Sequence, residues 1–149
     1  MNAEELQERT MKFAVDLIQF VKTLPQQGAI GAVTRQLLDA GTSVAANYRA
    51  SCRARSRAEF NAKIGVVAEE ADEAVFWLQV LMQSGTVRGL QVSELAEEAR
   101  QLRAIMAASA KTARRNYRFN QEIRKPLDKA INKSINKSIN KSRNREIKK

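Results

Sequence analysis

Four stretches of the chain repeat apolar residues every three or four positions, and short polar segments separate them. In the first, Leu6, Thr10, Phe13, Leu17, Phe20, Val21 and Leu24 fall on one helical face. Glu4, Glu5 and Glu8 suit the positive end of a helix dipole and Pro25 stops the pattern, which predicts a helix over Ala3 to Leu24. The second stretch holds Val33, Leu37, Gly41, Val44, Tyr48 and Cys52 and predicts a helix over Ala29 to Arg53. Ser56 and Glu59 then form a capping box, in which the hydroxyl accepts from the Glu59 amide and the carboxylate reaches back to the Ser56 amide. A third helix is therefore expected from Arg57 to Gln83, with Phe60, Ile64, Val67, Ala71, Ala74, Val75, Leu78 and Leu81 inward and Ser84-Gly85 as its exit. The fourth is expected to be capped by Ser93, with Glu94, Glu97 and Glu98 in its first turn. Its stripe is Leu95, Ala99, Leu102, Met106, Ala110, Ala113 and Tyr117, and Lys111, Arg114, Arg115 and Arg118 give its end the charge a C-terminus favours.

The connections are short, so consecutive helices return antiparallel. The expected fold class is all-α: an antiparallel up-down-up-down four-helix bundle over residues 1–118, each helix roughly 33 to 40 Å long. Gly31, Ala32, Ala40, Gly41, Thr42, Ser43, Ala45 and Ala46 leave the second helix with little bulk, which lets a neighbour approach closely. A basic C-terminal tail of low complexity follows, residues 119–149. Pro126 is expected to break any continuation of the fourth helix. From Ile131 to Ser142 the chain reads Ile-Asn-Lys-Ser three times; Asn and Ser are poor helix formers and lysine repels lysine at a spacing of four, so disorder is expected in isolation.

Composition narrows the chemistry. With no histidine and a single cysteine the chain has no imidazole base, no internal disulfide and no zinc-type ligand set, so no catalytic residue, metal or cofactor is expected. Cys52 reads as a small buried residue on its helix face. No run is apolar enough to span a bilayer, and MNAEELQER is acidic rather than a basic leader, so a cytoplasmic protein without a membrane role is expected. The net charge of +10 is uneven: residues 119–149 hold ten lysines and arginines against Glu122, Asp128 and Glu146. Such a balance suits acidic partners.

Two clusters remain. In an up-down-up-down bundle the second turn and the end of the fourth helix share one pole, which predicts a basic end built from Arg49, Arg53, Arg55, Arg57, Arg114, Arg115 and Arg118 that can neutralise phosphates; the alternative is pairing with the glutamates of the first helix. Tyr48 and Tyr117, the only tyrosines, fall on core stripes, so base stacking and sequence-specific readout are not expected. Glu69, Glu70, Asp72 and Glu73 form an acidic row on the third helix. Bundle metal sites use Glu-x-x-His, so the row is expected instead to pair Glu70 or Glu73 with a base such as Arg35, or with one across a subunit interface.

The blocks GTSVAANYRAS, SRAEFNAKIGVVAEEADEAVFWLQVL and ELAEEARQLRAIMAASAKTARRN resemble the four-helix bundle family encoded by intervening sequences of bacterial large-subunit ribosomal RNA genes. That family is distantly similar to the accessory variability protein of diversity-generating retroelements, which assists a reverse transcriptase. The resemblance implies a left-handed bundle assembled as a homopentamer, with no established catalytic activity. Many relatives carry Glu-Gly after the asparagine of the second helix, where this chain has Tyr48, Arg49 and Ala50 after Asn47, so the arginine-rich end is its own feature. The expected function is a non-enzymatic oligomeric scaffold that contacts RNA, or an RNA-associated protein, through the basic pole. The alternative is a protein–protein module, an accessory to a reverse transcriptase, with no direct nucleic-acid role.

Overall fold

The computed structural model describes residues 1–146. Its order is α1 (Ala3–Val21), α2 (Gly28–Ser51), α3 (Arg57–Gln83) and α4 (Leu90–Glu146), with no strand among the described residues. The fold is the expected all-α arrangement of four helices. The chain divides into two compact units, Met1–Ala113 and Arg114–Lys149, with α4 contributing to both.

In the first unit each helix packs on the next. Leu17 of α1 sits over Gly41 of α2, while Ala3 shares a depression with Ser51 and Cys52, so the two helices run in opposite directions. α2 packs along α3 across the turn at 52–56, whereas α1 and α3 are not neighbours. α4 closes the arrangement: Glu98 meets Arg9 of α1, and Arg103 meets Asp72 of α3. Phe13, Leu17, Leu37, Val44, Ile64, Val67, Leu78, Leu81, Val92, Leu102 and Met106 are almost wholly enclosed. Each such side chain contributes about 1.5–3 kcal/mol relative to exposure.

The ends of the helices account for their polar groups. Asn2 Oδ1 accepts from the Glu5 amide at 2.9 Å and Glu5 returns a carboxylate oxygen to the Asn2 amide at 2.8 Å, a complete capping box. α1 stops at Val21, three residues before the expected Leu24, because the Thr23 and Leu24 amides tighten onto the carbonyls three residues back and Gln26 Nε2 donates to the Val21 and Leu24 carbonyls. At α3, Ser56 Oγ accepts from the Glu59 amide at 3.1 Å as expected. The Glu59 carboxylate, however, takes the Arg55 amide at 2.9 Å rather than that of Ser56. Gly85, at φ +72°, is the left-handed exit expected after α3. Three hydroxyls lie in the core, on Thr10, Thr34 and Ser51, and each donates to the carbonyl three residues earlier, so none is buried unpaired.

Two expectations for the fourth helix are corrected. Ser93 does not cap it. Gly89, at φ +110°, lets the chain turn in earlier, and Ser93 lies inside the helix with its hydroxyl donating to the Gly89 carbonyl. Nor does Pro126 end it, since α4 continues to Glu146. Proline removes one amide donor and crowds the carbonyl four residues back, here that of Glu122. Residues 121–126 are exposed, so water can solvate the freed carbonyl. The disorder expected of residues 119–149 concerns that segment in isolation, a state distinct from the whole chain described; residues 147–149 lie outside the described residues.

A Cβ on Gly41 would overlap Leu17 Cδ1, and Phe13 lies alongside. Gly41→Val is therefore expected to cost roughly 1–3 kcal/mol through overpacking, against the small gain in helix propensity. Urea unfolding followed by circular dichroism measures it, as a lower midpoint at unchanged slope.

Candidate nucleic-acid interface

The turn between α2 and α3 is built to project charge. The buried part of α2 ends with Tyr48 and Ser51, and after Ser51 the amides of Arg53 and Ala54 tighten onto the carbonyls three residues back. Only five residues separate the two helices, so there is no length for the connection to fold Arg53 and Arg55 inward, and Arg49 and Arg57 flank it on the adjoining helix ends. Arg49, Arg53, Arg55 and Arg57 are all exposed, and none makes an ion pair among the described residues. The glutamates of α1 do not take them: Glu5 is engaged by its own cap and by the amino group of Met1, at 3.7 Å. Glu59, the one carboxylate in the first turn of α3, is occupied by the Arg55 amide and approached by Lys63 at 3.8 Å.

Beside this turn lies an open depression of about 580 Å³, lined by Ala3, Tyr48, Ser51, Cys52, Arg55, Arg57 and Phe60. Tyr48 turns its ring into the core, and its phenol is pushed up to about 12, chiefly by burial and secondarily by the adjacent Cys52 thiol. Phe60 is half-buried, so the depression has no free aromatic face on which a base could stack. Arg55 and Arg57 bring guanidiniums to a lining that is otherwise largely apolar, and such cations suit phosphate rather than base edges. Cys52 is exposed, contrary to the expected burial. As the C-cap of α2 it lies beyond the last residue that the facing helices cover.

Arg114, Arg115 and Arg118 are exposed on α4 in the second unit. The first four arginines thus lie in and beside one turn, and the other three within about 1.1 turns of a single helix, each group within its own unit.

The family model for the 23S rRNA-intervening sequence protein matches residues 4–108. The chain belongs to that family. No curated protein matches it. Among solved structures it is similar to the 1.70 Å crystal structure of a protein with unknown function from the S23 ribosomal protein family of Bacteroides thetaiotaomicron, at 24% identity and a TM-score of 0.67. The likeness covers 74% of this chain and 99% of that one, and it shows the shared fold. The match to the 23S rRNA-intervening sequence family spans the arginine-bearing turn and stops before Arg114.

The other charged clusters are partly engaged within the chain. Arg9, which the sequence did not single out, grips Glu98 with two parallel bonds of 2.6 and 2.7 Å and also donates to Gln101 at 2.7 Å. That hydrogen bonding raises its pKa, against a smaller lowering by burial. The cleft of about 610 Å³ alongside, between α1 and α4, also holds Lys12 bonded to Asp16, together with Glu94, so its balance of charge is acidic. Of the acidic row, Asp72 pairs with Arg103 at 3.1 Å and Glu73 accepts from Trp77 Nε1 at 3.0 Å. The expected pairing of Glu70 or Glu73 with Arg35 is not formed. The group on α2 that acts on Glu70 is Asp39, a like charge. Among the described residues no cluster of histidine, cysteine and carboxylates could hold a metal, and no helix is long and apolar enough to cross a membrane.

Burial first, and then Glu73, Glu69 and Asp39, raise the pKa of Glu70. A carboxyl whose folded pKa lies above its unfolded value leaves the fold most stable below the unfolded value and less stable as pH rises through the folded one. Glu70→Gln is therefore expected to raise Tm at neutral pH, with the gain shrinking as pH falls below the usual carboxylate range near 4. Melting curves of the parent and variant between about pH 3 and pH 7 give the comparison; equal gains at every pH would remove Glu70 ionisation as the cause.

Proposed function

We propose that this protein is a non-enzymatic, oligomeric scaffold that holds RNA through the phosphate backbone, with the α2–α3 turn as its principal contact. The observation that carries this reading is the set of four exposed guanidiniums without ion-pair partners among the described residues, Arg49 in the last turn of α2, Arg53 and Arg55 in the short connection and Arg57 at the start of α3. Arginine offers two parallel donors to a phosphate, and each neutralised phosphate releases counterions. Arg114, Arg115 and Arg118, with the basic residues beyond them, add charge of the same kind. The family's association with intervening sequences of 23S rRNA makes RNA the natural polyanion, and a cytoplasmic site of action accords with it.

Oligomerisation belongs to the same reading. Met11, Val15, Ile18, Val66 and Phe76 are large apolar side chains left exposed on unit-one helices, and a homopentamer of the kind the family resemblance implies would cover them. Several copies of a modest charge cluster bind a long RNA more firmly than one. The exposed ring of Phe76 favours a second reading, in which the partner is a protein that works on RNA, such as a reverse transcriptase.

Retention of labelled RNA should be largely indifferent to base sequence and should fall steeply between about 50 and 200 mM salt. In the full chain, joint replacement of Arg49, Arg53, Arg55 and Arg57 by Gln should weaken retention and flatten the salt slope by about 3, at roughly 0.7 per phosphate lost on a single strand. An unchanged slope in a variant with parental helix content would exclude the turn as the contact.

A further inference from the structure

Among the described residues the second unit, from Arg114 onward, holds one element, the later part of α4. Four large apolar side chains stand in water on it: Phe119 is 63%, Ile123 55%, Ile131 48% and Ile135 50% exposed. A single exposed isoleucine is ordinary, but these four recur at multiples of four residues. An α-helix turns by about 100° per residue, so each step of four advances the row by about 40°, and from Phe119 to Ile135 it sweeps an arc of about 160°.

The bases take the other side. Arg114, Arg115, Arg118, Lys125, Lys129 and Lys133 are exposed, and all lie within about 60° of the direction opposite the centre of that arc. Asn120 and Arg124 interrupt the apolar side, Arg124 close to its edge, where a long stem lets the guanidinium reach outward. Over residues 114–135 seven lysines and arginines stand against Glu122 and Asp128. This segment is a basic amphipathic helix.

Its partner has to accept a broad apolar face and positive charge together. RNA would take the charge and leave the four apolar side chains in water. A second copy wound alongside as a coiled coil needs a narrow seam repeating every 3.5 residues, and a row with a period of four drifts out of such a seam. A shaped protein groove meets the same drift. The boundary between headgroups and acyl chains is fluid and flat, so it accommodates a wide arc without matching individual side chains.

We infer that residues 114–135 of α4 lie along a bilayer surface bearing anionic headgroups, with Phe119, Ile123, Ile131 and Ile135 turned into the acyl boundary. A helix is about 10 Å across, so even the bases opposite the apolar arc stay within about one Debye length of the headgroup plane. The helix lies on the membrane and does not cross it; no helix among the described residues is long and apolar enough to span. This contact goes beyond the RNA reading and does not depend on it.

The full chain should co-sediment with vesicles of equal parts phosphatidylcholine and phosphatidylserine, and stay in the supernatant with phosphatidylcholine alone. Joint replacement of Phe119, Ile123, Ile131 and Ile135 by Gln keeps every charge and suits a helix. It should lower apparent affinity for the anionic vesicles by about tenfold or more, with helix content and retention of labelled RNA at parental levels. A parent that fails to sediment with anionic vesicles, or a Gln variant that sediments like the parent, would overturn the proposal; so would an equal loss of RNA retention, which would assign the row to RNA. Depth is read separately in a Cys52→Ser chain. An environment-sensitive fluorophore on Ile123→Cys should shift to shorter wavelength when anionic vesicles are added, while the same label on Lys129→Cys should not. Equal responses at the two positions would mean adsorption by charge alone and would overturn it. If RNA is not retained by the parent at all, the vesicle and fluorescence outcomes decide the matter by themselves.

Discussion

Everything in the bundle depends on how closely α1 can approach α2, and that distance is set where Leu17 lies on the bare backbone of Gly41. A glycine inside a helix weakens it by about 1 kcal/mol relative to alanine, so its use here has to be offset by packing. The return is the enclosure of Leu17, which is fully buried together with Phe13 and Leu37. With α1 seated that low, Thr10 and Thr34 also fall within the core, where their hydroxyls turn back onto their own helices. α3 and α4 then close over a core that alternates bulky leucines with alanines such as Ala40, Ala71, Ala74, Ala96 and Ala99.

Charge is divided by a similar logic. Where α4 faces its neighbours, opposite charges are engaged, Arg9 with Glu98 and Arg103 with Asp72. These contacts lie at the edges of the core, partly open to water, and a single such pair adds little stability. They do favour one neighbour and one register for α4, which carries Glu98 on one side and Arg103 on the other. The α2–α3 turn has no facing helix, and there the arginines remain uncompensated. The chain therefore pairs charges where α4 docks and leaves exposed cations where α2 turns into α3.

Most of this architecture is legible in the sequence because the helices are amphipathic and their punctuation is local. Ser56 and Gly85 mark the limits of α3 by chemistry acting within four residues, and those limits agree with the structure. Ser93 misleads because it has the composition of a cap while Gly89, four residues earlier, has the backbone freedom to start the helix. Cys52 follows the spacing of a buried face but lies one step past the end of its neighbours' cover. The arginines of the turn can be read directly, since no fold of a five-residue connection would conceal them. The clamp of Arg9 on Glu98 cannot: it joins residues 89 positions apart, and only the relative height of α1 and α4 reveals it. The missing partner of Glu70 is of the same kind, for helical phase alone points to Arg35 whereas the α2 charge that acts on it is Asp39, a like one.

Among the described residues the last fully buried side chain is that of Ala110, with Ala113 packed against the core, and α4 runs on to Glu146. The Ile-Asn-Lys-Ser repeats begin eighteen residues after Ala113, at Ile131. In the Ile-Asn-Lys-Ser stretch the unit of variation is four residues, close to one helical turn; each further copy would lengthen a helix by about 6 Å, rotate its end by about 40° and add one lysine. Slippage during copying of such a gene would thus change reach and charge in graded steps while leaving the folding information untouched, making this end of the protein the part that evolution can tune most cheaply.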